Sequence, residues 1–158
     1  MRPEEKNQAD VISQWVTFFL DGEMYGVNVL QVQEVLRVGE IAPVPGAPEY
    51  VLGIINLRGN IVTVIDTRQR FGLRSKELDD SSRIVIIEVA GNVIGILVDG
   101  VAEVVYLSES SMESAPNVGG GESSRYIQGV CNRENQLLIL VDLNKLLADD
   151  EWKDVSSS

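Results

Sequence analysis

The chain has 158 residues, a formal net charge of −11 at pH 7 and a sequence pI of about 4.4. This acidity argues against nucleic acid and anionic membrane as partners, because phosphate groups require a basic face. The chain has no histidine, the commonest general base and metal ligand, and its single cysteine cannot form an internal disulfide. No apolar run is long enough to span a membrane and the N-terminus lacks a signal-peptide core, so we expect a cytoplasmic protein.

The sequence contains two internal repeats that align without gaps. Residues 16–37 match residues 85–106 at a constant offset of 69, and residues 50–71 match residues 126–147 at an offset of 76. Two copies of one unit predict a pseudo-symmetric pair of similar subdomains, since a solenoid needs three or more repeats. Each copy is near the size at which a lone core is marginal, so we expect the two subdomains to pack against each other.

Taken in chain order, the first elements are an arm and a hairpin. Residues 1–14 are polar and charged and predict a flexible arm. Two apolar runs, 16–20 and 24–29, flank Asp21-Gly22, a pair that favours a tight hairpin turn. The second copy repeats this pattern over residues 84–98.

Glycine and proline punctuate the segments that follow. Gly26 and Gly95 lie in the outgoing strands and predict a bend or bulge that curls each short sheet into a barrel. Residues 28–37 predict a short helical turn that leads into a strand. Three prolines within residues 43–48 predict a stiff surface connection.

A second hairpin is predicted in each copy, over residues 51–65 and 127–141. Asp66 and Asp142 directly follow these hairpins and suit helix N-caps, since their carboxylates can accept backbone N–H groups. In the second copy a leucine stripe predicts a helix that continues towards Trp152; its members are Leu143, Leu146 and Leu147. The charged segment 73–82 links the copies, and the glycine-rich segment 117–124 predicts a mobile loop.

The resulting fold prediction is mainly β, with two small antiparallel β-barrel subdomains of about five strands each. The predicted copies span about residues 15–72 and 84–147, with short helices and a C-terminal helix. Residues 149–158 are predicted to form the helix end and a frayed tail.

Candidates for catalysis are few, and the candidates for binding are charged. Cys131 lies in a strand-like run and is interpreted as a buried apolar position rather than a nucleophile. Arg58 lies in a turn between two apolar strands, which predicts a charge free to meet a partner. A basic region follows that either docks an acidic surface or merely solvates a helix and linker; it comprises Arg68, Arg70, Arg74 and Lys76.

Several runs of the sequence carry a family resemblance: Tyr25-Gly26, Val32-Gln33-Glu34-Val35, residues 53–59 (Gly-Ile-Ile-Asn-Leu-Arg-Gly), Val64-Ile65-Asp66 and residues 95–101 (Gly-Ile-Leu-Val-Asp-Gly-Val). Together they closely resemble the CheW family, the adaptors of bacterial chemotaxis arrays. The resemblance covers about residues 15–148, and the Asn-Leu-Arg-Gly turn with its flanking strands is a fairly specific part of it.

Similarity to CheW implies two SH3-like barrels, no catalysis and no cofactor. It also implies an adaptor that bridges the cytoplasmic tips of methyl-accepting chemoreceptors and the regulatory domain of the histidine kinase CheA, recruited to membrane-bound arrays without inserting into the membrane. That domain is itself CheW-like, so the two can alternate in rings, and contacts between CheW copies are a further possibility. Carried over by position, Val32, Glu34 and Arg58 face the receptor, while Asn56 and Gly59 shape the turn. Pseudo-symmetry assigns the kinase-facing residues as Val98, Val101 and Glu103.

Three alternatives remain at the level of sequence. An adaptor of a non-motility chemosensory pathway would have the same features. A hydrolase would need two converging carboxylates, one of raised pKa, for which Glu34 and Glu103 are the symmetric pair. A ligand-binding barrel would need a sizeable cavity, whereas barrels of about five short strands are usually filled by their own side chains.

Overall fold

The computed structural model describes residues 11–114 and 126–146. These residues form ten β-strands, two short α-helices and two 3₁₀ turns. The strands are β1 (Ile12–Leu20), β2 (Glu23–Asn28), β3 (Val32–Arg37), β4 (Val51–Leu57), β5 (Asn60–Asp66), β6 (Arg83–Val89), β7 (Asn92–Val98), β8 (Gly100–Ser108), β9 (Ile127–Arg133) and β10 (Gln136–Val141). The helices are α1 (Thr67–Arg70) and α2 (Leu143–Leu146), and the 3₁₀ turns are Val29–Gln31 and Glu109–Ser111.

Local signals placed most of these elements correctly. The predicted turn at Asp21-Gly22 joins β1 and β2, and both residues have positive φ. The helical turn Val29–Gln31 leads directly into β3, as the sequence predicts. However, β1 begins at Ile12, inside the segment predicted as a flexible arm, because β1 pairs with β8 from Ile12 onwards.

Both predicted helix caps are confirmed. The Asp66 carboxylate accepts the backbone N–H groups of Arg68 and Gln69, and the Asp142 carboxylate accepts that of Asn144. None of the helices in the described ranges is long and apolar enough to cross a membrane. Several predicted features lie outside the described residues: the arm before residue 11, the glycine-rich loop, and the helix continuation through Leu147 and Trp152 with the tail that follows.

The strands form two five-stranded sheets with equivalent strand orders. Sheet I has the order β8-β1-β2-β10-β9, and sheet II has the order β3-β6-β7-β5-β4. When each strand is replaced by its counterpart in the other repeat, one order becomes the other. The mainly β fold with two five-stranded sheets is therefore present, and the repeats occupy equivalent places in it.

The sheets do not coincide with the sequence repeats, which differs from the expectation of one barrel for each copy. The first hairpin of each repeat, β1-β2 or β6-β7, lies between strands of the other repeat. This exchange places β2 beside β10 and β7 beside β5, and both pairs are parallel rather than antiparallel as predicted. Sheet II is consequently one continuous segment, residues 32–98, inserted between the two parts of sheet I.

The exchanged hairpins are apolar on both faces because they border two cores. Successive side chains of a strand point to opposite faces, so alternate residues of β6 enter different cores. Val85 and Ile87 join the central cluster between the sheets, whereas Ile84 and Ile86 pack inside sheet II. Trp15 packs inside sheet I in the equivalent cluster, with Val105, Leu107, Cys131, Leu138 and Leu140.

Of the bend or bulge predicted at Gly26 and Gly95, the structure contradicts the bulge. The register of β2 and β7 with their neighbours is continuous through both residues. Gly95 instead permits close packing, since a Cβ there would lie 2.7 Å from Cγ2 of Ile84. The recorded register shifts lie elsewhere, between Val16 and Phe18, Val32 and Glu34, Val51 and Gly53, and Leu140 and Val141.

Candidate protein-docking surface

The turn between β4 and β5 presents the side chain of Arg58. Arg58 and Gly59 have φ values of +54° and +87°, as in a type I′ hairpin turn. The second central position of such a turn favours glycine, because its φ is positive. The Asn56 side chain accepts the Gly59 N–H at 2.8 Å, which holds the turn in place. The Arg58 side chain is 69% exposed at the tip of this hairpin.

Arg58 is bound to Glu34 rather than free, which corrects the prediction from the sequence. Two parallel hydrogen bonds of 2.5 and 2.7 Å join its guanidinium to the Glu34 carboxylate. The hydrogen bond from Arg58 holds the pKa of Glu34 below its ordinary value. Because β3 and β4 stand at opposite ends of the strand order of sheet II, this pair joins the two edges of a curled sheet.

An open, mainly apolar groove of about 740 Å³ adjoins this pair. It lies between the end of β3, the proline-rich connection and β4, and its apolar walls include Leu36, Ile41, Ile55, Leu57, Ile61 and Ile84. Glu34 and Leu36 are two residues apart on β3, so their side chains point to the same face. The groove and the ion pair therefore form one surface, which we call the sheet II surface.

The repeats differ in a way that explains the groove. Trp15 and Met24 of sheet I are replaced in sheet II by the smaller Ile84 and Val93, at the constant offset of 69. Trp15 is 2% exposed and fills the interior of sheet I, while Ile84 lines the groove of sheet II. The groove is open at the surface, and a buried cluster that includes Val64, Ile84 and Ile86 fills the inside of sheet II, so the expectation that such barrels are filled by their own side chains is not contradicted.

The four residues of the predicted basic region have different surroundings in the structure. Arg70 is 7% exposed and its guanidinium lies over the rings of Tyr50 and Tyr126. Arg68 is bound to Asp99 through two hydrogen bonds of 2.7 and 2.8 Å. Lys76 pairs with Asp79 at 2.9 Å. Most of these charges are thus compensated or enclosed within the protein, whereas Arg74 has an exposed side chain and forms no ion pair with another described residue.

The remaining candidate residues lie on β3 and β8, which are edge strands of the two sheets, or just before β8. Val32 of β3 and Val101 of β8 are half-buried and pack against the central cluster. Glu103 of β8 is exposed, and its backbone bonds the Thr17 hydroxyl. Val98 is 1% exposed within the central cluster, so its side chain offers no surface to a partner.

The geometry favours binding over catalysis. Glu34 has a lowered pKa and an arginine partner, the opposite of what a general acid requires. Cys131 is buried, as predicted. Across the residues that the structure describes, no group of three or more His, Cys, Asp or Glu side chains could hold a metal ion.

Two features of the site were missed in the sequence. The pairing of Glu34 with Arg58 joins residues 24 positions apart, so no local pattern marks it. The groove had a signal, since the repeat alignment sets Trp15 against Ile84, and the smaller residue leaves space in its barrel.

Two packed β-sheets that carry a charged hairpin beside an apolar groove define a protein-binding scaffold. The chain belongs to the CheW family of chemotaxis scaffold proteins, because the family model for the CheW-like domain matches residues 14–151.

Individual relatives agree with this assignment over most of their length. The chain is 35% identical to the chemotaxis protein CheW of Treponema pallidum (strain Nichols), over 91% of this chain and 87% of the relative. It is also 35% identical to the chemotaxis protein CheW of Bacillus subtilis (strain 168), over 84% of this chain and 85% of the relative. The crystal structure of the scaffolding protein TtCheW from Thermoanaerobacter tengcongensis superposes with a TM-score of 0.82 at 34% identity, covering 89% of this chain and 96% of that one.

Proposed function

We propose that this chain is a non-catalytic adaptor that couples methyl-accepting chemoreceptors to the histidine kinase CheA. In this proposal the two sheets are SH3-like barrels related by pseudo-symmetry, and the protein is cytoplasmic and recruited to receptor arrays. Membership of the CheW family supports the adaptor role. The observation that carries the receptor contact is the Glu34–Arg58 pair beside the apolar groove of the sheet II surface.

The receptor tip is assigned to the sheet II surface. A receptor tip is a bundle of helices, and an apolar face of a helix fits an apolar groove. Arg58 stands on a hairpin held by Asn56 and Gly59, so its position is fixed before the partner arrives. Val32, on the same strand as Glu34, is half-buried against the central cluster, so only the part of its side chain that stays exposed is available to the receptor.

Arg58 would exchange one carboxylate for another when the receptor binds. Its internal bond to Glu34 is exposed, and exposed ion pairs contribute little to stability. A glutamate on the receptor helix can therefore replace Glu34 at small cost. Such an exchange adds specificity more than affinity, so burial of the apolar groove must supply most of the binding free energy.

The kinase regulatory domain is assigned to the start of β8 on sheet I. Val101 and Glu103 there are the repeat equivalents of Val32 and Glu34, so each sheet presents a related but different face. Because the faces lie on different sheets, one adaptor can hold two partners at once. Weak contacts suffice in an array, where multivalency raises the overall avidity, and other copies of the adaptor would join the same lattice.

The test compares binding to a receptor-tip fragment and to the kinase regulatory domain. The wild type is measured beside Arg58→Glu, the double exchange Glu34→Arg/Arg58→Glu, and the control Arg74→Glu, which reverses an exposed charge outside the surface. We expect Arg58→Glu to weaken receptor binding about tenfold or more with kinase binding unchanged. The double exchange restores the internal ion pair but not the positive charge at position 58, so receptor binding should stay weak.

The outcomes separate the roles of the pair. Recovery of receptor binding in the double exchange would show that the internal bond matters rather than the charge offered to the partner. Equal loss of both partners together with a lower Tm would contradict a receptor-specific surface. If the wild type binds neither partner, the adaptor proposal itself fails.

A further inference from the structure

The chain passes between the two sheets at two equivalent points. The first crossing is the 3₁₀ turn Val29–Gln31, between β2 of sheet I and β3 of sheet II. The second is Asp99, between β7 of sheet II and β8 of sheet I. Leu30 and Asp99 occupy matching positions of the repeats, at the offset of 69.

The second crossing is held by hydrogen bonds to both sheets. The carboxylate of Asp99 accepts bonds of 2.8 and 2.7 Å from the guanidinium of Arg68, on the helix that follows β5 of sheet II. The same carboxylate accepts the backbone N–H of Asp21, in the β1-β2 turn of sheet I, at 2.8 Å. The backbone N–H of Asp99 donates to the Phe19 carbonyl at 3.0 Å.

Arg68 is itself fixed by several partners. Its third nitrogen donates to the Arg74 carbonyl at 2.8 Å, and the Asp21 carboxylate lies 3.6 Å away. The side chains of Arg68 and Asp99 are 13% and 17% exposed, so water competes weakly with the pair. Burial raises the pKa of Asp99, but the hydrogen bonds from Arg68 and Asp21 outweigh it and keep the pKa below its ordinary value.

The first crossing has no equivalent set of charges. The repeat equivalents of Arg68 and Asp21 are Asn144 and Ala90, which cannot form an ion pair. Leu30, in the place of Asp99, is 89% exposed, and its backbone N–H donates to the nearby Asn28 side chain. The two crossings are therefore unequal: among the described residues, the second alone ties both sheets to one side chain.

We propose that Arg68 and Asp99 are positioning residues that hold β8 of sheet I in a fixed relation to sheet II, so that a change at the receptor surface reaches the kinase surface. This inference rests on the proposed adaptor function. Arg68 follows β5 of sheet II, at the opposite end of that strand from the Arg58 turn, and Asp99 immediately precedes the strand that carries Val101 and Glu103. A partner contact on either sheet is transmitted only if the connection between the sheets is stiff.

The experiment measures binding and coupling separately, with the full chain. Binding of each partner alone is compared for the wild type, Arg68→Gln, Asp99→Asn and Arg68→Lys. Coupling is measured as the receptor-dependent stimulation of kinase autophosphorylation in reconstituted assemblies. The control is Arg74→Gln, which removes a neighbouring positive charge but keeps the backbone carbonyl that Arg68 uses.

We expect Arg68→Gln and Asp99→Asn to bind each partner within about threefold of wild type and to lower the receptor-dependent stimulation by about five- to tenfold. Arg68→Lys keeps the charge but not the planar fork, so it should recover the stimulation only in part. Arg74→Gln should behave as wild type.

Failure of this inference differs from failure of the adaptor function. Full stimulation in both Arg68→Gln and Asp99→Asn would overturn the inference, as would a parallel loss of both binding activities with a lower Tm, which marks a purely structural role. Absence of stimulation in the wild type would instead overturn the adaptor function, and this inference with it.

Discussion

Arg70 donates a hydrogen bond of 3.3 Å to the backbone carbonyl of Leu146, the residue at its own equivalent position in the second repeat. Its guanidinium also lies 4.3 Å from the ring centre of Tyr50 and 5.1 Å from that of Tyr126, another equivalent pair. The guanidinium of Arg70 thus contacts equivalent tyrosines from both repeats. Only one repeat has an arginine there, so the contact is inherently asymmetric.

Replacement of Arg70 should therefore loosen the contact between the repeats. We expect Arg70→Met, which keeps the size of the side chain, to lower the free energy of unfolding by about 1–3 kcal/mol through loss of the cation–π contacts and the hydrogen bond. Urea unfolding measures this directly. The exposed Arg74→Met should stay within about 0.5 kcal/mol of wild type; an equal effect of the two variants would contradict a special role for Arg70.

The apolar groove can be tested with a pair of symmetric variants. Ile61 lines the groove and is 65% exposed, whereas its repeat equivalent Leu137 is 46% exposed on the other hairpin. Burial of an isoleucine side chain contributes about 1.5–3 kcal/mol, so Ile61→Asp should weaken receptor binding by about 10- to 100-fold. Leu137→Asp adds the same charge and should leave receptor binding close to wild type. Titration of a receptor-tip fragment distinguishes the two, and equal losses would place the receptor elsewhere.

Gly53 should tolerate no side chain. A Cβ there would overlap the Ala42 carbonyl, which accepts the Ile54 N–H at 2.8 Å, and would lie 2.9 Å from Cγ2 of Ile41. We expect Gly53→Ala to lower the free energy of unfolding by about 1–3 kcal/mol. Gly39→Ala is the matched control, since nothing lies within 4 Å of its added Cβ. Thermal unfolding of both variants checks the prediction, and equal Tm values would refute the close approach.

The bond between Arg68 and Asp99 predicts a pH dependence of stability. The pKa of Asp99 is lower in the folded protein than its ordinary value, so its contribution is complete above that ordinary value and is lost as the pH falls through the folded one. The difference in unfolding free energy between wild type and Asp99→Asn should therefore be largest near neutral pH and shrink below about pH 4. Urea unfolding at several pH values measures it, and a difference that is constant with pH would contradict the ionic bond.

Short-range signals in the sequence predicted much of the fold. The hairpins follow from apolar runs around Asp21-Gly22 and Arg58-Gly59, whose backbone angles depend on neighbouring residues alone. The caps at Asp66 and Asp142 are likewise local. At Gly26 and Gly95 a bend or bulge was predicted, and the bulge was wrong because a glycine in a strand can also serve close packing, as Gly95 does against Ile84.

The parts that were missed depend on contacts between distant segments. The exchange of hairpins pairs β1 with β8 and β7 with β5, which are strands of different repeats. The repeat pattern in the sequence does not reveal this exchange, because it would be the same if each strand paired within its own copy. Arg58 was expected to be free because the curl of sheet II, which brings Glu34 to it, has no local marker. The neutralisation of Arg68 by Asp99 has the same origin, since 31 positions separate the two residues.

In sequence, sheet II is inserted between the two parts of sheet I, so the two sheets are completed in a fixed order during synthesis. During synthesis, sheet II has all its strands once residue 98 has left the ribosome, whereas sheet I waits for residue 141. The β1-β2 hairpin thus emerges before sheet II, but its pairing is complete only after sheet II has all its strands. A chain that is stalled or cut before residue 100 would leave both edges of that hairpin open, and open strand edges recruit other chains. Truncated products of this protein should therefore aggregate through residues 12–28, which pair with strands on both sides when β8 and β10 are present.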